Sequence, residues 1–440
     1  MKLLMPQQEL AVDHLHNHLC SALFLDPGLG KTLAVLVWLD YLITNGDING
    51  ALILAPKRVA TITWPMEVEK WFPWMKVVDL RTEAGMRDWE RATGQIFLIN
   101  YEQVPKLCAA TKEWPVDTLV IDEIHFAKNP SSTRMAPLLE ARPHFKRVVG
   151  MTGTPIGNGY LDLFAPMRLI DGGERLGTVY GHFRNRYFNP DYMRYNWTLK
   201  DWAREAIQEK IADITLVLKA EEYLHIPPVT VVDIEVPLSA KDMRLYRTLQ
   251  KDYLVQIEEQ ELVGVNAAAL VGKLIQFTSG CAYDETREVV PVHFAKAEAL
   301  WKLVQEVAEP MIVVTHYQHE RAMIMSRIPG AELFVESSVA RWNAGEIPVL
   351  VVDPRSAGTG LNMQAGGRHI CWYSQTYSRL LFDQMNGRLA RTGQTRPVFI
   401  HRLLCPDTVD WAVVAALEFK GDEQEGLKTA LQALRRIKQS

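Results

Sequence analysis

Short runs that are apolar at nearly every position recur along the chain, each ending in glycine, small hydroxyl or charged residues. In the first half they fall at residues 21–25, 51–55, 95–100, 118–121 and 147–151. Apolar character on both faces predicts strands covered from both sides, as in a parallel sheet with helices on each face. Residues 32–43 continue from the first run as an apolar helix. From about residue 161 to 222 the pattern turns helical and aromatic, until Pro227 and Pro228 break it. A second series of buried strands is expected at 311–315, 349–352, 369–372 and 398–403. The expected fold class is therefore α/β, with two lobes built on parallel sheets. The first spans 1–225, carrying a small helical insertion at about 160–222, and the second spans 226–440. In open sheets of this kind ligands bind beyond the carboxyl ends of the strands, where the polar motifs of this sequence lie.

Composition narrows the classes. A chain of 440 residues exceeds one hydrophobic core, which agrees with two lobes. A net charge of −4 argues against a protein that coats nucleic acid through bulk charge, while leaving room for a local basic groove. No apolar run reaches the roughly 20 residues of a membrane span, and the opening residues lack the pattern of a signal peptide. The five cysteines form no CxxC pair, so neither a zinc site nor a disulfide framework is expected. These features predict a cytoplasmic protein.

The chemistry begins at Asp26-Pro27-Gly28-Leu29-Gly30-Lys31-Thr32, between the first strand and the first helix. Glycines let the backbone curl so that several N–H groups face phosphate oxygens, and the helix N-terminus adds partial positive charge. Gly28, Leu29 and Gly30 are thus expected to cradle ATP. Lys31 would reach its β- and γ-phosphates, and Thr32 would hold Mg²⁺. The strict pattern has a further glycine where Leu25 stands. Asp122-Glu123-Ile124-His125 follows the fourth strand. Two acids at a buried strand end are costly unless they bind a cation or move protons. Asp122 would hold Mg²⁺, and Glu123 would orient and deprotonate an attacking water. Thr152-Gly153-Thr154-Pro155 follows the next strand, with hydroxyls placed to sense those acids. Arg388 and Arg391 lie one helical turn apart, and a helix would present both on one face as transition-state fingers.

This ordered set resembles helicase superfamily two, and within it the SWI/SNF-type double-stranded-DNA translocases. Gln8 stands at the glutamine of the family's adenine-contacting motif, and Asp26–Thr32 resembles its phosphate loop. The stretch Ala55-Pro56-Lys57, followed by Trp64 and Trp71, resembles its first nucleic-acid-contacting segment, and Asn100-Tyr101-Glu102 a later one. Residues 355–362 resemble its glycine-rich fifth motif, while Gln384, Arg388, Arg391, Gly393 and Gln394 match the sixth. The resemblance implies two RecA-like P-loop lobes, with ATP and Mg²⁺ bound in a cleft between them. It implies nucleic-acid-stimulated hydrolysis that drives tracking along a duplex. ATP contacts would include Gln384. Pro56, Lys57, Tyr101, Thr152, Thr154, Ser356, Gly358 and Gly360 would contact nucleic acid or couple it to hydrolysis. The compact chain looks like bacterial or bacteriophage members. Double-stranded DNA is the expected partner, with single-stranded DNA or RNA as alternatives. A strand-separating helicase, whose wedge could be a hairpin within residues 280–292, remains open as a second reading. An ATP-dependent clamp that recruits or displaces partners is a third.

Overall fold

A computed structural model describes residues 4–129, 132–153, 159–191, 197–224, 227–259, 265–283, 289–355, 361–391 and 393–418. The chain divides into two compact units, residues 1–225 and 226–440.

In the first unit, β1 (Cys20–Leu25), β2 (Ala51–Ala55), β3 (Val77–Asp79), β4 (Ile96–Asn100), β5 (Thr118–Asp122) and β6 (Arg147–Thr152) are followed by a small hairpin and a last strand. The hairpin pairs β7 (Phe188–Pro190) with β8 (Trp197–Leu199), and the last strand is β9 (Thr215–Leu218). The main sheet is seven-stranded and parallel, in the order β3-β4-β2-β5-β6-β1-β9. One hydrophobic cluster lies under each face: Phe24, Leu54, Phe97 and Ile121 point to one side, and Leu23, Ile53, Leu98 and Val120 to the other. This two-sided burial is why the sequence shows apolar runs rather than alternation.

The region expected to be a helical insertion is only partly so. Helices cover Phe164–Asp171, Tyr180–Tyr187 and Ala203–Ile211, but β9 also lies within it and joins the main sheet beside β1. β9 is only four residues long and sits at the sheet's edge, with Val217 exposed and Leu218 buried, so its apolar run (TLVL) was read with the helical stretch around it. β3 escaped the sequence reading for the same reason: it is short and lies at the opposite edge. Among the described aromatic residues of the insertion, Phe183, Tyr187 and Phe188 are packing groups, buried against Phe164 and its neighbours.

The second unit contains β10 (Val229–Glu235), β11 (Cys281–Tyr283), β12 (Val289–Pro291), β13 (Met311–Val314), β14 (Ala331–Leu333), β15 (Val349–Val352), β16 (His369–Trp372) and β17 (Val398–Leu404). Its six-stranded sheet is parallel, ordered β10-β17-β16-β13-β15-β14. The edge strands β10 and β14 again went unpredicted. β11 and β12 pair antiparallel, so the region that could hide a hairpin holds one. Below the sheet, Lys296 and Asp410 form a fully buried ion pair at 2.6 Å, and Asp410 also accepts from Thr278 Oγ1 and the Cys405 N–H. Among the described residues no helix is long and apolar enough to cross a membrane.

Candidate functional site

Because the strands of the first sheet are parallel, the loops after β1, β6 and β5 emerge together on one edge. Register brings them level: Leu23 pairs with Met151, and Met151 with Asp122. After β1 the backbone turns through Gly28 and Gly30, at φ 91° and 78°. Glycine takes this left-handed geometry without steric cost. A β-carbon at Gly30 would also stand 2.1 Å from Gln8 Nε2, so Gly30 lets that side chain approach the loop. Gln8 is buried; its Oε1 accepts the Met5 N–H at 3.0 Å. The helix Lys31–Thr44 starts directly after Gly30, so its first-turn N–H groups belong to the loop.

Leu25, where a strict phosphate loop has glycine, is the last residue of β1 and pairs with Leu218. Its side chain is fully buried and its carbonyl accepts Lys31 Nζ at 2.6 Å. At this position the chain is still strand, so glycine's freedom has no use. Asp26 has a role that its place in the motif did not announce. Its Oδ2 accepts the Ala220 N–H at 2.9 Å, tying the loop to the end of β9.

Asp122 closes β5 and is buried. Its Oδ2 accepts the indole N–H of Trp64 at 3.0 Å. Burial pushes its carboxyl up to about 6, with the Glu123 charge adding to the effect, while Trp64 and Lys31 pull the other way. Glu123 is left-handed, at φ 54° and ψ 53°, a geometry that costs a non-glycine residue about 1–3 kcal/mol. Its Oε2 lies 3.3 Å from the Thr152 hydroxyl and 3.3 Å from His125 Nδ1, and Nδ1 is 3.0 Å from Thr152 Oγ1. Burial pushes Glu123 up as well, but the hydrogen bond and charge of His125, together with Lys31 and Thr152, outweigh it and hold the carboxylate below its ordinary range. Adjacent acids are thus driven apart. Glu123 is ionised and ready to take a proton. Asp122 keeps its negative charge at neutral pH at a desolvation cost that a cation would relieve. These donors fit Mg²⁺, a hard cation that takes oxygen ligands.

In the second unit, the helix Arg379–Asn386 carries Gln384 but ends before the arginines. Arg388 and Arg391 are therefore not on one helical face; they sit in the turns that follow Gly387. They converge by another route: the Nη1 atoms of both donate to the Leu361 carbonyl, at 3.4 and 3.1 Å. Burial lowers Arg391 from its usual range. Gln394 is a brace rather than a ligand group, since its amide donates to the Gln364 and Gly367 carbonyls at 3.1 and 3.0 Å.

A family model described as the SNF2-related domain matches residues 10–282. The chain belongs to the SNF2-related family. Protein p41 of Acyrthosiphon pisum secondary endosymbiont phage 1 is 31% identical over 454 residues, covering 97% of this chain and 98% of p41. DNA repair and recombination protein RAD54B of Mus musculus is 24% identical over 467 residues. That match covers 89% of this chain and 52% of the mouse protein, so the chain spans about half its length. Among solved structures, the Sulfolobus solfataricus SWI2/SNF2 ATPase core in complex with dsDNA aligns over 99% of this chain and 97% of that one, at 19% identity and a TM-score of 0.47.

The nucleic-acid candidates of this SNF2-related chain separate by exposure. Lys57 is exposed and Pro56 half-buried beyond β2. Tyr101 and Thr152 are buried, at 3% and 0%, which removes both as surface contacts and places them inside the acid cluster. Thr154, Ser356, Gly358 and Gly360 lie outside the described residues. Sequence reasoning missed Trp64 and His125 as partners of the acids. The DEIH string did contain His125, but Trp64 carried no local signal, because its contact with Asp122 spans 58 residues.

Proposed function

We propose that this SNF2-related chain is an ATP hydrolase that turns ATP hydrolysis into translocation on double-stranded DNA. The observation that carries the reading is the Glu123 carboxylate, ionised, held by Thr152 and His125, and within the electrostatic reach of Lys31. Gly28, Leu29, Gly30 and the first turn of the helix at Lys31 would hold the phosphates, with Gln8 and Gln384 as further ATP contacts. Thr32 and Asp122 would hold Mg²⁺, which supplies neutralising charge to the phosphate oxygens. Glu123 takes a proton from water as the water oxygen bonds to the γ-phosphorus. The bond to the bridging oxygen then breaks and ADP leaves. Lys31, Arg388 and Arg391 offset the charge that develops on the transferred group.

Family membership supports DNA as the track, as does the similarity to the mouse DNA repair and recombination protein. Lys57, exposed beyond β2, is a candidate phosphate contact. The five cysteines are free thiols, which supports a reducing, cytoplasmic setting. Steady-state ATP hydrolysis without nucleic acid, then with single-stranded DNA, duplex DNA or RNA, tests the proposal. Strong stimulation by duplex DNA is expected, followed by triplex displacement in a second assay. Stimulation by single strands or RNA alone would overturn duplex tracking. The hairpin of β11 and β12 favours strand separation as the second reading, because such a hairpin can act as a wedge. Unwinding of a forked duplex would support that reading.

A further inference from the structure

Glu123 is one of four non-glycine residues with positive φ among the described residues. A side chain in this region crowds its own backbone, so neighbouring contacts must hold it there. The Phe126 N–H donates to the Glu123 carbonyl at 3.0 Å, and the side-chain contacts to this backbone come from Tyr101. Its hydroxyl lies 2.8 Å from the Asp122 carbonyl and 3.1 Å from the Glu123 carbonyl, so its single proton is shared between the two carbonyls that flank the Glu123 Cα. Tyr101 directly follows β4, yet β4 is not the neighbour of β5. β2 lies between them and ends at Ala55, level with Asn100. The ring therefore spans the end of an intervening strand to reach the acids. It is 3% exposed and packs against Phe126 at 5.6 Å between centroids. Burial, with the nearby charges of Asp122, Glu123 and Glu102, raises the phenol well above its ordinary range, so the hydroxyl stays protonated and acts as a donor throughout neutral pH.

We propose that Tyr101 is a positioning residue for hydrolysis. Its hydroxyl holds the Asp122–Glu123 backbone so that the Glu123 carboxylate stays on Thr152 and His125, facing the water it deprotonates. Tyr101 is buried beneath the acids and acts through Glu123. The inference rests on the hydrolase reading above and adds the device that sets the base in place.

Tyr101→Phe keeps the ring and removes the hydroxyl. The variant should lose about tenfold in kcat with KM for ATP changed less than about twofold, the pattern of an interaction needed in the transition state. Combined with Glu123→Gln, Tyr101→Phe should cause no further loss, because the group it positions is already disabled. Wild-type kcat in Tyr101→Phe, or the same fold-loss in both backgrounds, would overturn the proposal. A crystal structure of Tyr101→Phe supplies a readout independent of turnover. Glu123 should leave its left-handed geometry and its oxygen should move off Thr152; an unchanged Glu123 overturns the proposal. A wild-type protein that binds ATP without hydrolysing it would instead count against the hydrolase reading, and the crystal structure would still decide the role of Tyr101.

Discussion

The indole N–H of Trp64 donates to Oδ2 of Asp122 at 3.0 Å, and the ring is fully buried. The tryptophan in the segment that resembles a nucleic-acid-contacting motif therefore serves the acid at the end of β5. Trp64→Phe should leave that oxygen short of a buried donor and cost about 1–3 kcal/mol of stability. Trp74→Phe, whose indole N–H bonds Asp40 at the surface, should cost under about 0.5 kcal/mol. Urea denaturation of both variants checks the contrast, and equal costs would remove Trp64 from this role.

Lys31→Ala should abolish measurable ATP turnover by removing positive charge from the phosphate loop. Glu123→Gln should keep ATP affinity while hydrolysing at least about a hundredfold more slowly, as expected for loss of a general base. Single-turnover hydrolysis beside equilibrium nucleotide binding separates the two. Normal hydrolysis in Glu123→Gln would exclude it as the base.

The guanidinium groups of Arg388 and Arg391 share the Leu361 carbonyl, but Arg388 is the more buried, at 7% exposure. Arg391→Ala should slow turnover far more than it weakens ATP binding. Arg388→Ala should in addition lower the melting temperature. A loss confined to binding in Arg391→Ala would make it a ground-state contact.

His316 in the second unit gives a pH-dependent stability. Burial pushes its imidazole down to about 4, with Arg355 adding to the effect, and its Nε2 has no hydrogen-bond partner among the described residues. In the unfolded chain it titrates near 6.5. The unfolded state thus binds more protons between those values, so the His316 contribution is intact above 6.5 and is lost as pH falls towards 4. One such group costs about 2 kcal/mol at about pH 5, and His401, likewise pushed to about 4 by burial, adds to the slope. His316→Leu should flatten the pH dependence by that amount in urea denaturation at about pH 7.5 and pH 5. An unaltered slope would show that His316 does not carry it.

The legible parts of the fold were those with a local physical cause. Central strands such as β2 and β5 are buried on both faces, so every position must be apolar, and the run shows in the sequence. The edge strands β3, β9, β10 and β14 lack that constraint, and the short apolar run of β9 (TLVL) was read with the helical stretch around it. The phosphate loop was readable because Gly28, Gly30 and Lys31 are consecutive demands on one turn of backbone. The placement of Arg388 and Arg391 on a helix face was not, because Gly387 ends the helix and their meeting point is the Leu361 carbonyl, supplied from elsewhere in the unit.

By itself the sequence determined that this is a chain of parallel α/β lobes, with a phosphate loop after one strand and paired acids after another. Those features are written in residue type and local spacing. The same reading gave Glu123 the part of the base; only the tertiary structure shows what holds the two acids. Strand order sets β6 between β1 and β5, which brings Thr152 to Glu123, and packing turns Trp64 and Tyr101 inward onto Asp122 and Glu123. These contacts join residues far apart along the chain. Their energies arise from burial and charge in three dimensions, and neither can be read from neighbours in sequence.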